Sequence, residues 1–196
     1  IEDAGTSASG TKQYHVYYTD GTDAVVDESD TAIDLNLTDK EPVPTDEVYN
    51  IKYTFKDLVE NKKTLNDLAS SMQNASVASN GSSRQVAKKI NFNASYDAAT
   101  GSFSIYNKNG GASNVIGIES RSKGATQLVN NLHLAKFDQS TNTLTNLSPF
   151  VQGTRQKFGG TAGQVTVDGR TYTIDENRLV AGGVTYNFLN KTQTGQ

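Results

Sequence analysis

Apolar and polar residues alternate most regularly over residues 162–188, AGQVTVDGRTYTIDENRLVAGGVTYNF. Asp168-Gly169 interrupts the alternation as a two-residue hairpin turn of type I′, which requires positive φ at both positions. This register pairs Val167 with Arg170 and Val165 with Tyr172. It puts Val165, Val167, Tyr172 and Ile174 on one side and Thr166, Thr171 and Thr173 on the other. A ribbon patterned this way buries one face and wets the other. Val184, Tyr186 and Phe188 continue the pattern beyond the turn residues Gly182-Gly183.

The same signals run through the rest of the chain. Strands are expected at residues 14–19, 22–26 and 31–37, with a further turn at Asp20-Gly21. Pro42-Val43-Pro44 excludes helix and central strand, so residues 39–47 read as a crossing or linker. VYNIKYTF, residues 48–55, reads as a strand. A helix then starts near Thr64, where Leu65, Leu68, Ala69 and Met72 follow helical spacing and Thr64 with Asp67 forms a capping box with the shorter acid. Residues 76–83 read as a loop of small polar residues.

A second hairpin is expected from Ile90, Phe92 and Ala94 on one strand and Phe103 and Ile105 on the next, joined through residues 97–100 and Gly101. A four-residue loop there pairs Ala94 with Phe103 and Phe92 with Ile105. After Gly110-Gly111, residues 115–118 read as a short strand. Ser122 opens a second helix with Ala125, Leu128, Val129 and Leu132 along one stripe. Helices this short need a sheet to cover. Residues 138–160 form a Thr/Asn/Gly-rich connection containing Pro149 and Gly159-Gly160. The fold class is therefore α+β, mainly antiparallel β.

Composition narrows the functional classes. The 196 residues are 35% hydrophobic, enough for one or two small cores beneath a polar surface. No apolar run approaches the roughly 20 residues of a membrane-spanning helix. The start, IEDAGTSASGTK, has neither the basic head nor the apolar core of a signal peptide. With no initiator Met and an end inside a Thr/Gln/Gly stretch, the sequence reads as a piece of a longer protein. Absence of cysteine excludes disulfides, thiolate metal sites and thiol catalysis. A net charge of −3 argues against a nucleic-acid partner, and equally against an anionic membrane.

Candidate chemistry is sparse. Asp20, Asp23, Asp27, Glu28, Asp30 and Asp34 could offer oxygen ligands to calcium, but they lack the spacing of an EF-hand loop and read as charges that protect a sheet edge. His15 and His133 are the two histidines, and no serine or acid is tied to either by spacing. Ser70-Ser71 and Ser82-Ser83 lack the glycines of a nucleophile elbow. Arg84, Lys88 and Lys89 read as a solubilising face. Nine tyrosines and no tryptophan favour rings with a polar tip at the edge of the core, some of them suited to contacts between subunits. Asn-x-Ser/Thr triplets at Asn36, Asn74, Asn80, Asn93, Asn146 and Asn190 carry little weight in so Asn/Ser/Thr-rich a chain. No catalytic group, cofactor or metal is expected; the residues singled out are the turn positions Asp20, Gly21, Gly101, Asp168, Gly169, Gly182 and Gly183.

Three segments, TLNDLASSMQNA, INFNASYDAATGSFSIYNKNGGASNVIGI and AGQVTVDGRTYTIDENRLVAGGVTYNF, occur in that order. Together they resemble the head region of the flagellar filament capping proteins, the hook-associated protein 2 family, over about residues 48–135 and 160–192. The resemblance implies a discontinuous β domain of residues 1–46 plus 155–196, interrupted by an inserted α/β head domain of residues 47–154. It implies a structural assembly protein, not an enzyme, located outside the cell at the filament tip, where a ring of identical subunits guides flagellin insertion. Heptad helices that hold such rings would lie in flanking sequence. The partners implied are other copies of the chain and flagellin. The alternative is an outer variable domain of flagellin or an adhesive, antigenic surface module, for which host-surface glycans are the partner.

Overall fold

The computed structural model describes residues 1–41, 43, 47–78, 87–109, 111–138, 142–159, 162–174 and 178–187. Pro42, Pro44, Ser82, Ser83, Arg84, Gly110, Gly160 and Phe188 lie outside them. The architecture is mainly antiparallel β with three short helices, the α+β class expected.

Strands β1 (Glu2–Thr6), β2 (Lys12–Tyr17) and β3 (Asp23–Asp27) form a three-stranded antiparallel sheet in that order. Tyr14 and Val16 are buried under it, while His15 and Tyr17 face outward. Strand β4 (Thr31–Thr38) is one of two inner strands of a second sheet, with β5 (Tyr49–Thr54) on one side. Helix α1 (Phe55–Val59) follows directly, and α2 (Leu65–Asn74) starts at the expected place. The Thr64 hydroxyl accepts the Asp67 N–H, and the Asp67 carboxylate accepts the Thr64 N–H at 2.8 Å, so the capping box is reciprocal. Leu68, Ala69 and Met72 are buried along the predicted stripe.

Strands β6 (Ser76–Ala78) and β7 (Ala87–Lys89) pair with each other, where a loop was expected from residue 76 onward. The next hairpin, β8 (Phe92–Asp97) and β9 (Ser102–Asn107), corrects the expected register. Ala94 pairs with Ile105, Phe92 with Asn107, and Tyr96 with Phe103. The four loop residues are 98–101, not 97–100. Asp97 stays in the ladder because its carboxylate accepts the Ala99 N–H at 2.9 Å and the Thr100 hydroxyl at 2.8 Å, while Gly101 takes φ +69. The slip is two residues, so the apolar side chains keep their common face.

Strand β10 (Ile116–Ser120) pairs with β4 on the side opposite β5. Helix α3 (Lys123–Asn131) is stitched to β4 by Ser122. Its hydroxyl accepts the N–H groups of Ala125 and Asp34, each at 3.1 Å, and donates to the Ala32 carbonyl at 2.9 Å. Gly124 makes this close approach possible, because a Cβ there would fall inside contact distance of the Ala32 carbonyl oxygen. Strands β11 (Ala135–Asp138) and β12 (Thr143–Asn146) form a separate hairpin, and β13 (Arg155–Phe158) completes the second sheet in the order β13-β10-β4-β5.

Along β4, Leu35 is fully buried between Ile51 and Ser120 and Leu37 between Tyr49 and Ile118 on the neighbouring strands, and Asp34 pairs with Lys52. These pairings cross the expected boundary between residues 46 and 47. β4 comes from residues 1–46 and β5 and β10 from residues 47–154, yet one ladder holds them, because the apolar face of β4 needs both neighbours to leave water. β13, from residues 155–196, joins the same sheet. Among the described residues the sheet of β1, β2 and β3 takes no strand from residues 155–196.

Strands β14 (Gly163–Val167) and β15 (Arg170–Ile174) have the register read from the sequence, Val167 with Arg170 and Val165 with Tyr172. Strands β16 (Arg178–Ala181) and β17 (Val184–Asn187) form the last hairpin. One hydrophobic core runs from Tyr14 to Phe150, and none of its buried members comes from β14, β15, β16 or β17.

Candidate functional site

The singled-out turn residues lie at the tips of four different hairpins. Gly21 has φ +83 and closes a turn in which its N–H bonds the Tyr18 carbonyl at 3.0 Å. The Asp20 carboxylate accepts the Thr22 N–H at 3.1 Å and faces the Lys123 ammonium at 2.7 Å. Lys123 above all, then Thr22, draws the Asp20 carboxyl down to about 2. Asp168 (φ +49) with Gly169 (φ +76), and Gly182 (φ +57) with Gly183 (φ +78), meet the type I′ requirement at both positions. A Cβ at Gly21, Gly101, Gly169, Gly182 or Gly183 would meet nothing within 4 Å. These residues shape loops and do not converge on one place.

The acidic run is divided among separate partners. Asp23 bonds His15 at 2.5 Å, Asp27 bonds Gln13 at 2.9 Å, and Glu28 pairs with Lys56 at 2.9 Å. Asp30 accepts the Asp27 N–H at 2.9 Å, and Asp34 accepts Asn50 Nδ2 at 2.7 Å. Among the described residues no group of three His, Asp or Glu side chains could hold a metal ion.

Chemistry gathers instead on the outer face of the first sheet. The His15 and Tyr17 rings meet with centroids 4.4 Å apart and their planes tilted by 34°. The Tyr17 hydroxyl donates to Glu2 Oε2 and lies 3.1 Å from His15 Nδ1, while His15 Nε2 meets Asp23. Desolvation, then the bond to Glu2, raises the Tyr17 phenol above its ordinary value. Tyr17 is 54% exposed and Val25, opposite His15, is 57% exposed, so these residues are open to solvent. Alternation along residues 13–17 was the sequence signal for this face, whereas the contribution of Glu2 had none.

His133 takes φ +47 immediately after α3 and is exposed, the geometry of a helix-terminating residue. It borders an open groove of about 340 Å³ with Val129, Asn130, Leu147 and Phe150. Among the described residues that line the groove there is no carboxylate. Ser71 Oγ lies 2.7 Å from the Tyr53 hydroxyl, a packing role. Lys88 engages Glu47, which had been read only as part of the linker.

Comparison with known proteins finds no matching family, no matching characterised protein and no matching solved structure. The flagellar reading therefore rests on the three quoted segments.

Proposed function

We propose that this chain is the head region of a filament-cap assembly protein, working through repeated weak contacts and not through covalent chemistry. The observation that carries the reading is the unfinished burial of the two C-terminal hairpins. Val165, Val167, Tyr172, Ile174, Leu179 and Tyr186 lie on them only half-buried, and Val180 and Val184 are 58% and 52% exposed. A two-stranded hairpin is marginal in water unless its apolar side packs against something. In an assembly protein, neighbouring copies or incoming flagellin would supply that packing. Tyr17 and Val25 on the first sheet offer a second contact area of the same amphipathic kind.

Immunogold electron microscopy of cells that produce the protein tests this, using antibodies raised against the chain. Label confined to filament tips is expected. Label along filament shafts would replace the cap reading with that of a flagellin outer domain, and label away from filaments would overturn both.

A further inference from the structure

Buried charge meets at the crossing from β4 to β5. Glu47 is 9% exposed and places Oε2 at 2.7 Å from Lys40 Nζ, while its Oε1 pairs with Lys88 Nζ on β7. Asp39, 4% exposed, accepts the Asn91 N–H through Oδ2 at 2.6 Å. The Asp39 carbonyl accepts Asn107 Nδ2 at 2.9 Å. The crossing therefore holds the β6–β7 pair by an ionic contact and the β8–β9 hairpin by hydrogen bonds. These two attachments differ in what else supports them. Phe92, which opens β8, is fully buried in the core, and Ile90 between β7 and β8 is 1% exposed and extends the β6–β7 ladder by donating its N–H to the Ala75 carbonyl at 2.9 Å. β7 itself is exposed along all three residues and, among the described residues, pairs with β6 alone, whose Val77 is half-buried against the core. Pairs of strands this short do not persist on their own backbone bonds.

We propose that Glu47 is an acid-operated latch: its carboxylate holds the β6–β7 pair to the β4–β5 crossing, and its protonation frees that pair while the four-stranded sheet stays folded. A neutral carboxyl would leave the Lys40 and Lys88 ammoniums directed at one partly buried point with no negative charge between them. Asp39 is the other charged group that acts on Lys40. Its Oδ2 is tied to the Asn91 N–H.

Burial alone disfavours the ionised form of Glu47, but the hydrogen bonds and charges of Lys40 and Lys88 together outweigh it and hold the carboxyl below its ordinary 4.5. A carboxyl depressed in the folded state stabilises fully above its unfolded value. That contribution disappears as pH falls through the folded value. Release of β6–β7 therefore begins below about pH 4.5.

Hydrogen–deuterium exchange, corrected for the intrinsic pH dependence of amide exchange, tests the latch in the whole chain. Between pH 7 and about pH 3.5, protection of the β6 and β7 amides is expected to fall by up to about tenfold, while Leu35 and Ile51 stay protected. Glu47→Gln should show the open state already at pH 7 and lose the acid-dependent step. Lys88→Met keeps the aliphatic stem and should behave in the same way, so it decides the matter if Glu47→Gln fails to fold. Protection that persists in the parent at low pH, or that falls together across hairpin and sheet, overturns the proposal. So does a normal acid step in both variants.

Discussion

The side-chain amide of Asn130 pairs with the backbone of Phe150 in both directions. Asn130 Nδ2 donates to the Phe150 carbonyl at 3.1 Å, and Asn130 Oδ1 accepts the Phe150 N–H at 2.7 Å. The amide thus plays the part of a missing strand neighbour. It seats the Phe150 ring, 5% exposed, at the edge of the core. Asn130→Ala leaves a backbone donor and acceptor unpaired and should cost about 1–3 kcal/mol in urea denaturation. Asn130→Asp keeps the acceptor but loses the donor, and should fall between the parent and Asn130→Ala. Equal midpoints for all three proteins would refute this account.

Gly124 is a packing position, since a Cβ there would collide with the Ala32 carbonyl oxygen rather than with a movable side chain. Gly124→Ala should therefore destabilise the chain, against the usual helix preference for alanine, by about 1–3 kcal/mol. Thermal melts give the sign directly: a stabilised variant would mean that α3 can move away from β4 at little cost.

Gly169 has open space around it but φ +76. Gly169→Val should strain the β14–β15 turn by about 1 kcal/mol or more. Because no residue of that hairpin belongs to the buried core, the loss should be local. Amide exchange of residues 163–174 should accelerate while the main melting transition moves little. Unchanged exchange would contradict the strained-turn account.

Calcium should not alter the melting temperature. The carboxylates of the acidic run are each directed to a different neighbour, and no described group of three could ligate a metal. A site bound tightly by calcium would raise the transition as ligand concentration passed the dissociation constant. A rise of several degrees, reversed by chelator, would show that these carboxylates regroup around the ion.

What the sequence determined by itself was local. Two-residue periodicity and Asp168-Gly169 set the last long hairpin, because turn chemistry and side-chain alternation act between residues close in the chain. Thr64 with Asp67, and Ser122, marked helix starts for the same reason. Thr54 with Asp57 carries the α1 capping box and was equally legible, but the strand pattern running into Phe55 concealed it.

Tertiary structure decided the rest. Nothing in the pattern of β4 says that its two neighbours come from residues 49–54 and 116–120. That choice follows from covering Leu35 and Leu37 on both sides, which depends on the whole chain at once. Gly117 and Gly124 read as unremarkable glycines until the approaches of Thr38 and Ala32 show why no Cβ fits. Glu47 looked like linker charge. It becomes a latch only because folding brings Lys40 and Lys88 to opposite oxygens of one carboxylate, and a charge contact between distant residues leaves no periodic trace in sequence.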